Sequence, residues 1–142
     1  MALAPGKPRI LIVDDDPDFI SDITILLSSE FEIASAQDTV QAGDSWKKSP
    51  PECILLDLQM PKYYASDSRS EGLSFIAHLR KQPEGFKIGQ VPVIVVTSSA
   101  GKAHIARAHQ LGISNIYSKP FDIKKLVTTI WSLIESRKGA NS

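Results

Sequence analysis

Four short apolar runs divide the chain: "ILIV" at 10–13, "CILL" at 53–56, "VIVV" at 93–96 and the weaker "ISNIY" at 113–117. They are rich in β-branched residues and lack strict alternation, the pattern of strands buried on both faces of a parallel sheet. A fifth run, "FEIASA" at 31–36, alternates more and suits a sheet edge. Between these runs the apolar spacing turns helical. Phe19, Ile20, Ile23, Leu26 and Leu27 follow Asp16-Pro17, which reads as an N-cap and a first-turn proline. Residues 38–48 make a weaker helix, and Leu73, Phe75, Ile76 and Leu79 mark another over 72–81. A fourth runs over 102–111 and stops at Gly112. The last is capped by Asp122 and carries Ile123, Leu126, Val127, Ile130, Trp131 and Ile134 in one stripe.

Strand followed by helix, repeated five times, predicts parallel strands joined by right-handed crossovers. The expected fold is α/β and flavodoxin-like, a doubly wound five-stranded sheet of order 2-1-3-4-5 with five helices. The domain is expected over 9–137, with loose ends at 1–8 and 138–142.

The polar residues after each strand carry the candidate chemistry. Asp14, Asp15 and Asp16 follow the first, Asp57 the third, Thr97, Ser98 and Ser99 the fourth, and Lys119 the fifth. Parallel strands bring all of these to the carboxyl edge of the sheet, where open α/β sheets bind ligands. Asp16 is read as a helix cap. The other aspartates repel at about 4 kcal/mol per pair at ~4 Å and an effective dielectric near 20, so they call for a cation. Few hard oxygen ligands with room for water suit Mg²⁺. Lys119 and Thr97 beside it can grip an anion such as a phosphoryl group, and Asp57 stands as the nucleophile of an aspartyl phosphate.

Composition narrows the classes. The 142 residues carry 16 Lys plus Arg and 16 Asp plus Glu, so net charge favours neither nucleic acid nor an anionic membrane. No apolar run approaches the ~20 residues of a membrane span, and "MALAPGKPR" has no apolar signal core. The single cysteine, Cys53, is expected in the core and suits a reducing, cytoplasmic setting. His78, His104 and His109 are expected on helix surfaces.

"VDDD" (13–16), "LLDLQMP" (55–61), "VVTSS" (95–99) and "SKPF" (118–121), each after its strand, resemble the receiver domain of response regulators in two-component signalling, the chemotaxis-regulator-like family. The resemblance implies that Asp57 accepts phosphate from a histidine kinase or a histidine phosphotransfer protein. Asp14, Asp15, Asp57 and the carbonyl of Gln59 would hold Mg²⁺. Lys119 would pair with the phosphoryl oxygens, and Thr97 would turn inward to hydrogen-bond them. Ser98 would leave room for the phosphate, and the Lys119-Pro120 bond would be cis. A downstream target or output domain would read the face made by the helix at 102–111, the strand at 113–117 and the last helix. The domain is then a switch that catalyses only its own phosphotransfer and autodephosphorylation.

Two departures from the family stand out. Ile116 holds the place three before the lysine that is usually aromatic, with Tyr117 one later. The loop at 62–71 is an apparent insertion beside Asp57; Tyr63, Tyr64 and Arg69 in it make either a partial lid or an idle surface loop. Two rival functions stay open: a degenerate receiver acting as a protein-binding scaffold, and a Mg²⁺-dependent phosphohydrolase using an aspartyl phosphate.

Overall fold

The computed structural model describes residues 6–57, 91–97, 102–110, 112–113, 115–119 and 121–140. Five parallel strands make one sheet: β1 (Arg9–Val13), β2 (Glu32–Ala36), β3 (Cys53–Leu56), β4 (Val93–Thr97) and β5 (Asn115–Ser118). Their order is β2-β1-β3-β4-β5, as the alternation predicts. The helices described are α1 (Pro17–Leu27), α2 (Thr39–Lys48), α3 (Lys102–Gln110) and α4 (Ile123–Ala140). The helix expected over 72–81, the 62–71 loop, Gln59, Ser98 and Pro120 lie outside the described residues. No helix among the described residues is long and apolar enough to cross a membrane.

Strand periodicity sorts the core into two layers, because successive side chains point to opposite faces. Leu11, Val13, Ile54, Leu56, Val93 and Val95 go to one face, where Ala42 and Trp46 of α2 and Ala108 of α3 cover them. Ile10, Ile12, Cys53, Leu55, Ile94 and Val96 go to the other, under Ile23 and Leu27 of α1 and Leu126, Ile130 and Ile134 of α4. Burying each such aliphatic side chain contributes roughly 1.5–3 kcal/mol. Both faces of the central strands are covered, which is why their sequences do not alternate.

Local signals end the elements where they should. Asp16 caps α1, its carboxylate accepting from the Asp18 N–H at 3.0 Å. Asp122 does the same for α4, accepting from the Lys124 N–H at 2.9 Å. After α3, Gly112 sits at φ +87°. Its N–H donates to the His109 carbonyl and that of Ile113 to the Ala108 carbonyl. This pair of bonds is a Schellman stop, which needs glycine for the left-handed residue.

The α1 stripe differs from expectation at one end. Leu26 is 54% exposed, whereas Ile23 and Leu27 are buried. At 100° per residue Leu26 lies on the rim of the stripe, beyond Phe19, rather than at its centre. Trp131 also flanks its stripe. It packs on Phe31 with ring centroids 5.1 Å apart and donates its indole N–H to Glu30 at 2.9 Å.

Cys53 is fully enclosed in β3, and burial pushes its thiol up from 9.0 to about 12. The folded thiol therefore keeps its proton more tightly than the unfolded one. Its contribution to stability is complete below the ordinary value and is lost as pH rises toward about 12. At pH 8 the folded chain should resist a thiol reagent, and the same reagent should label it rapidly in denaturant. Equal labelling rates in the two conditions, followed by mass spectrometry, would contradict this burial.

Candidate functional site

Three backbone hydrogen bonds fix the residues at the carboxyl edge. The Asp14 N–H donates to Ala36 on β2 at 3.0 Å, Asp57 to Val13 on β1 at 2.9 Å, and Lys119 to Thr97 on β4 at 2.9 Å. Each residue is thus tied to a neighbouring strand as its own strand ends. Sheet order does the rest. β1 and β3 are adjacent, but the chain leaves β1 for the opposite edge of the sheet, so the crossovers diverge above Asp14 and Asp57.

Asp14, Asp57 and Thr97 are the buried polar side chains among the described residues, at 1%, 6% and 0% exposure. Asp15 is exposed. Carboxylate oxygens of Asp14, Asp15 and Asp57 all lie within 4.8 Å of one another. The Lys119 ammonium donates to Asp14 Oδ2 at 2.7 Å and to Asp57 Oδ2 at 3.3 Å. Thr97 Oγ1 donates to Asp57 Oδ1 at 2.9 Å, and the Asp16 N–H to Asp14 Oδ1 at 2.9 Å. Both oxygens of Asp57 are therefore engaged before any phosphoryl group arrives, one by a hydroxyl and one by a cation.

The electrostatics match the crowding. Burial holds the Asp14 carboxyl above its ordinary value; the Lys119 and Asp16 hydrogen bonds oppose that, and the Asp57 charge adds to it. Partial burial and the Asp57 charge likewise raise Asp15. Burial alone would lower Lys119. The hydrogen bond to Asp14 and the charges of Asp57 and Asp14 outweigh it, so the ammonium is held more firmly protonated than usual.

Comparisons with known proteins give the family and the fold. A family model for the response regulator receiver domain matches residues 10–131. The chain belongs to the response regulator receiver family. The receiver is 30% identical to a probable chemotaxis protein CheY of Rhizobium etli, covering 93% of this chain and 96% of that one. It is 26% identical to part of the hybrid signal transduction histidine kinase D of Dictyostelium discoideum, covering 94% of this chain and 8% of the kinase. It also spans about half the length of several transcriptional regulators that it matches. In fold it is similar to a signal receiver domain of an HD domain-containing protein from Pseudomonas fluorescens. The TM-score is 0.80 at 21% identity, covering 94% and 98% of the two chains. Receivers are signalling switches of two-component systems, and this chain is one of them by family.

The receiver brings Asp14, Asp15, Asp57, Thr97 and Lys119 into one cluster; Gln59 lies outside the described residues. Strand alternation separates Ile116 from Tyr117. Ile116 packs on the α2/α3 face, while Tyr117 lies on the α1/α4 face with its hydroxyl 2.5 Å from Thr129 Oγ1. Tyr117 thus does not stand in for the aromatic ring that the resemblance leads one to expect at position 116. A further neighbour of the site is Phe19, whose ring centroid lies 3.9 Å from Lys119 Nζ. Helical periodicity marks Phe19 only as part of an apolar stripe. Its position in the first turn after the acidic loop is the signal that it borders the site.

Raised values at Asp14 and Asp15 mean that the folded receiver binds their protons more tightly than the unfolded chain does. The stability they contribute is full below the ordinary value of 3.8 and is lost as pH rises through the folded values. In chelator at pH 7, Asp15→Asn should therefore melt higher than the parent. The rise should be at most about 3 °C, since solvent screening limits an exposed carboxylate to about 1 kcal/mol or less. The gap should close in acid. An unchanged or lower midpoint at pH 7 would contradict the repulsion.

Proposed function

We propose that this receiver takes a phosphoryl group from a histidine kinase or a histidine phosphotransfer protein onto Asp57, with Mg²⁺ as cofactor. The reading rests on the convergence of four polar side chains, Asp14, Asp15, Thr97 and Lys119, on the Asp57 carboxylate. The donor set fits the metal: three hard carboxylates stand together, and with Lys119 they leave two negative charges for a divalent cation to balance. Asp14, Asp15 and Asp57 would hold the ion, with the Gln59 carbonyl as a further ligand. Bound there, Mg²⁺ supplies positive charge to the phosphoryl oxygens.

The chain's own groups do the remaining work. An Asp57 oxygen attacks the phosphorus of the partner's phosphohistidine. The O–P bond forms as the P–N bond breaks, and the imidazole nitrogen leaves with the bonding pair. Lys119 and Thr97 shift their hydrogen bonds from the free carboxylate to the incoming phosphoryl oxygens, where new charge needs them. In the later autodephosphorylation, water attacks the same phosphorus and loses a proton to solvent as the Asp57 O–P bond breaks, which releases phosphate and restores the Asp57 carboxylate. The face of α3, β5 and α4 is then the surface that a downstream protein target or an output domain reads. Cytoplasmic residence and a lack of direct nucleic-acid contact go with this role.

Incubation of the chain with phosphoramidate and Mg²⁺, followed by intact mass, tests the reading. One added phosphoryl group is expected, and none with Asp57→Asn or with chelator. An unmodified parent favours a scaffold, and catalytic turnover of phosphoramidate without a lasting adduct favours a hydrolase; either result overturns the proposal. Mg²⁺ should also stabilise the fold by mass action. At ten times its dissociation constant the gain is about 1.4 kcal/mol, or about 4 °C for a chain of this length. Identical midpoints in saturating Mg²⁺ and in chelator would count against a metal site.

A further inference from the structure

We infer that Phe19 is a positioning residue for Lys119, holding the ammonium in place while its hydrogen-bond partners exchange. The inference rests on the role proposed for Lys119 above and deepens it. An ammonium has three N–H donors and no acceptor. Here two carboxylates, Asp14 and Asp57, take hydrogen bonds from it, and the face of the Phe19 ring closes another side at 3.9 Å from Nζ. Phosphoryl transfer requires those hydrogen bonds to be given up for new ones. A ring attracts a cation through its quadrupole without accepting a strong directed hydrogen bond. It can therefore keep the ammonium at its post while the carboxylates release it, which no third carboxylate could do without raising the repulsion among the aspartates.

The ring is itself held. Phe121, two residues beyond Lys119, meets Phe19 edge-on with centroids 6.3 Å apart. Tyr117, two residues before Lys119, stacks on Phe121 at 6.2 Å and is anchored to α4 through Thr129. The three aromatic residues thus form one string on the α1/α4 side of the sheet. Residues on both sides of Lys119 brace the ring that faces it. Without that string, a lysine on a four-carbon stem would keep several rotamers open toward the groove bounded by Phe19, Leu26, Phe121 and Ile123.

Two variants separate the ring face from mere apolar bulk. Phe19→Leu keeps the volume of an apolar side chain and removes the face; Phe19→Tyr keeps the face. Phosphoramidate with Mg²⁺ is the donor, so that partner docking plays no part. The Lys119 ε-methylene resonance in ¹³C–¹H spectra reports the ring directly, because an aromatic face shifts protons above it upfield. Circular dichroism checks whether each variant folds. Phe19→Leu should lose the upfield shift and slow adduct formation about fivefold, the size of a partly exposed cation–π contact. Phe19→Tyr should keep the shift and restore most of the rate. Equal slowing in both variants, or a parental rate in Phe19→Leu after the shift is lost, would overturn the inference. If Phe19→Leu does not fold, the parent and Phe19→Tyr still decide, since a parental Lys119 resonance with no upfield shift overturns it as well. A parent that takes no phosphoryl group contradicts the receiver chemistry instead, and the Lys119 shift then reports separately on whether Phe19 holds the ammonium.

Discussion

The ammonium of Lys119, shared between Asp14 and Asp57, is the contact on which the site depends. Carboxylates at this spacing repel by several kcal/mol per pair near a protein surface, and the cost grows as water is excluded. Asp14 and Asp57 are both buried, so solvent does little to screen them. Among the described residues Lys119 is the one cation seated between them. It relieves part of the repulsion and leaves the rest, which a divalent ion held by the cluster would balance.

The sheet exists to hold this imbalance still. Asp14, Asp57 and Lys119 each sit one residue beyond a strand, and each backbone N–H is tied to the strand beside it. Two dry side-chain layers, one on each face, make sliding of one strand against another costly. The chain can thus afford a cluster of like charges because the stabilisation lies elsewhere, in Ile10 to Val13, Cys53 to Leu56 and Val93 to Val96. Thr97 couples the two regions: it is the last residue of β4, fully buried, and its hydroxyl reaches the oxygen of Asp57 that Lys119 leaves.

Much of this was legible in the order of residues. Apolar runs without alternation announced strands covered on both faces, and the residues after each run announced the edge where chemistry collects. Caps at Asp16 and Asp122 and the stop at Gly112 were readable because they are local, a matter of a few residues and one backbone angle. What escaped depends on distances between elements. Helical spacing puts Phe19 and Leu26 together at one edge of the stripe, and only the packing of α1 beside Lys119, Phe121 and Ile123 shows what that edge borders. Strand alternation says that Ile116 and Tyr117 face apart. Which of them faces α4 follows from where the helices settle, and that is set by the whole core. The contact of Phe19 with Lys119 joins residues a hundred positions apart, beyond any local pattern.

A crystal structure of the chain grown with Mg²⁺ and beryllofluoride, a stand-in for the phosphoryl group, tests the account most directly. The account predicts beryllium bonded to an Asp57 oxygen, Mg²⁺ among Asp14, Asp15 and Asp57, and a Lys119 hydrogen bond passed from a carboxylate to a fluoride. A structure with Asp57 unmodified, no ion among the three aspartates and Lys119 still bound to Asp14, although both reagents were present at saturating concentration, would contradict it.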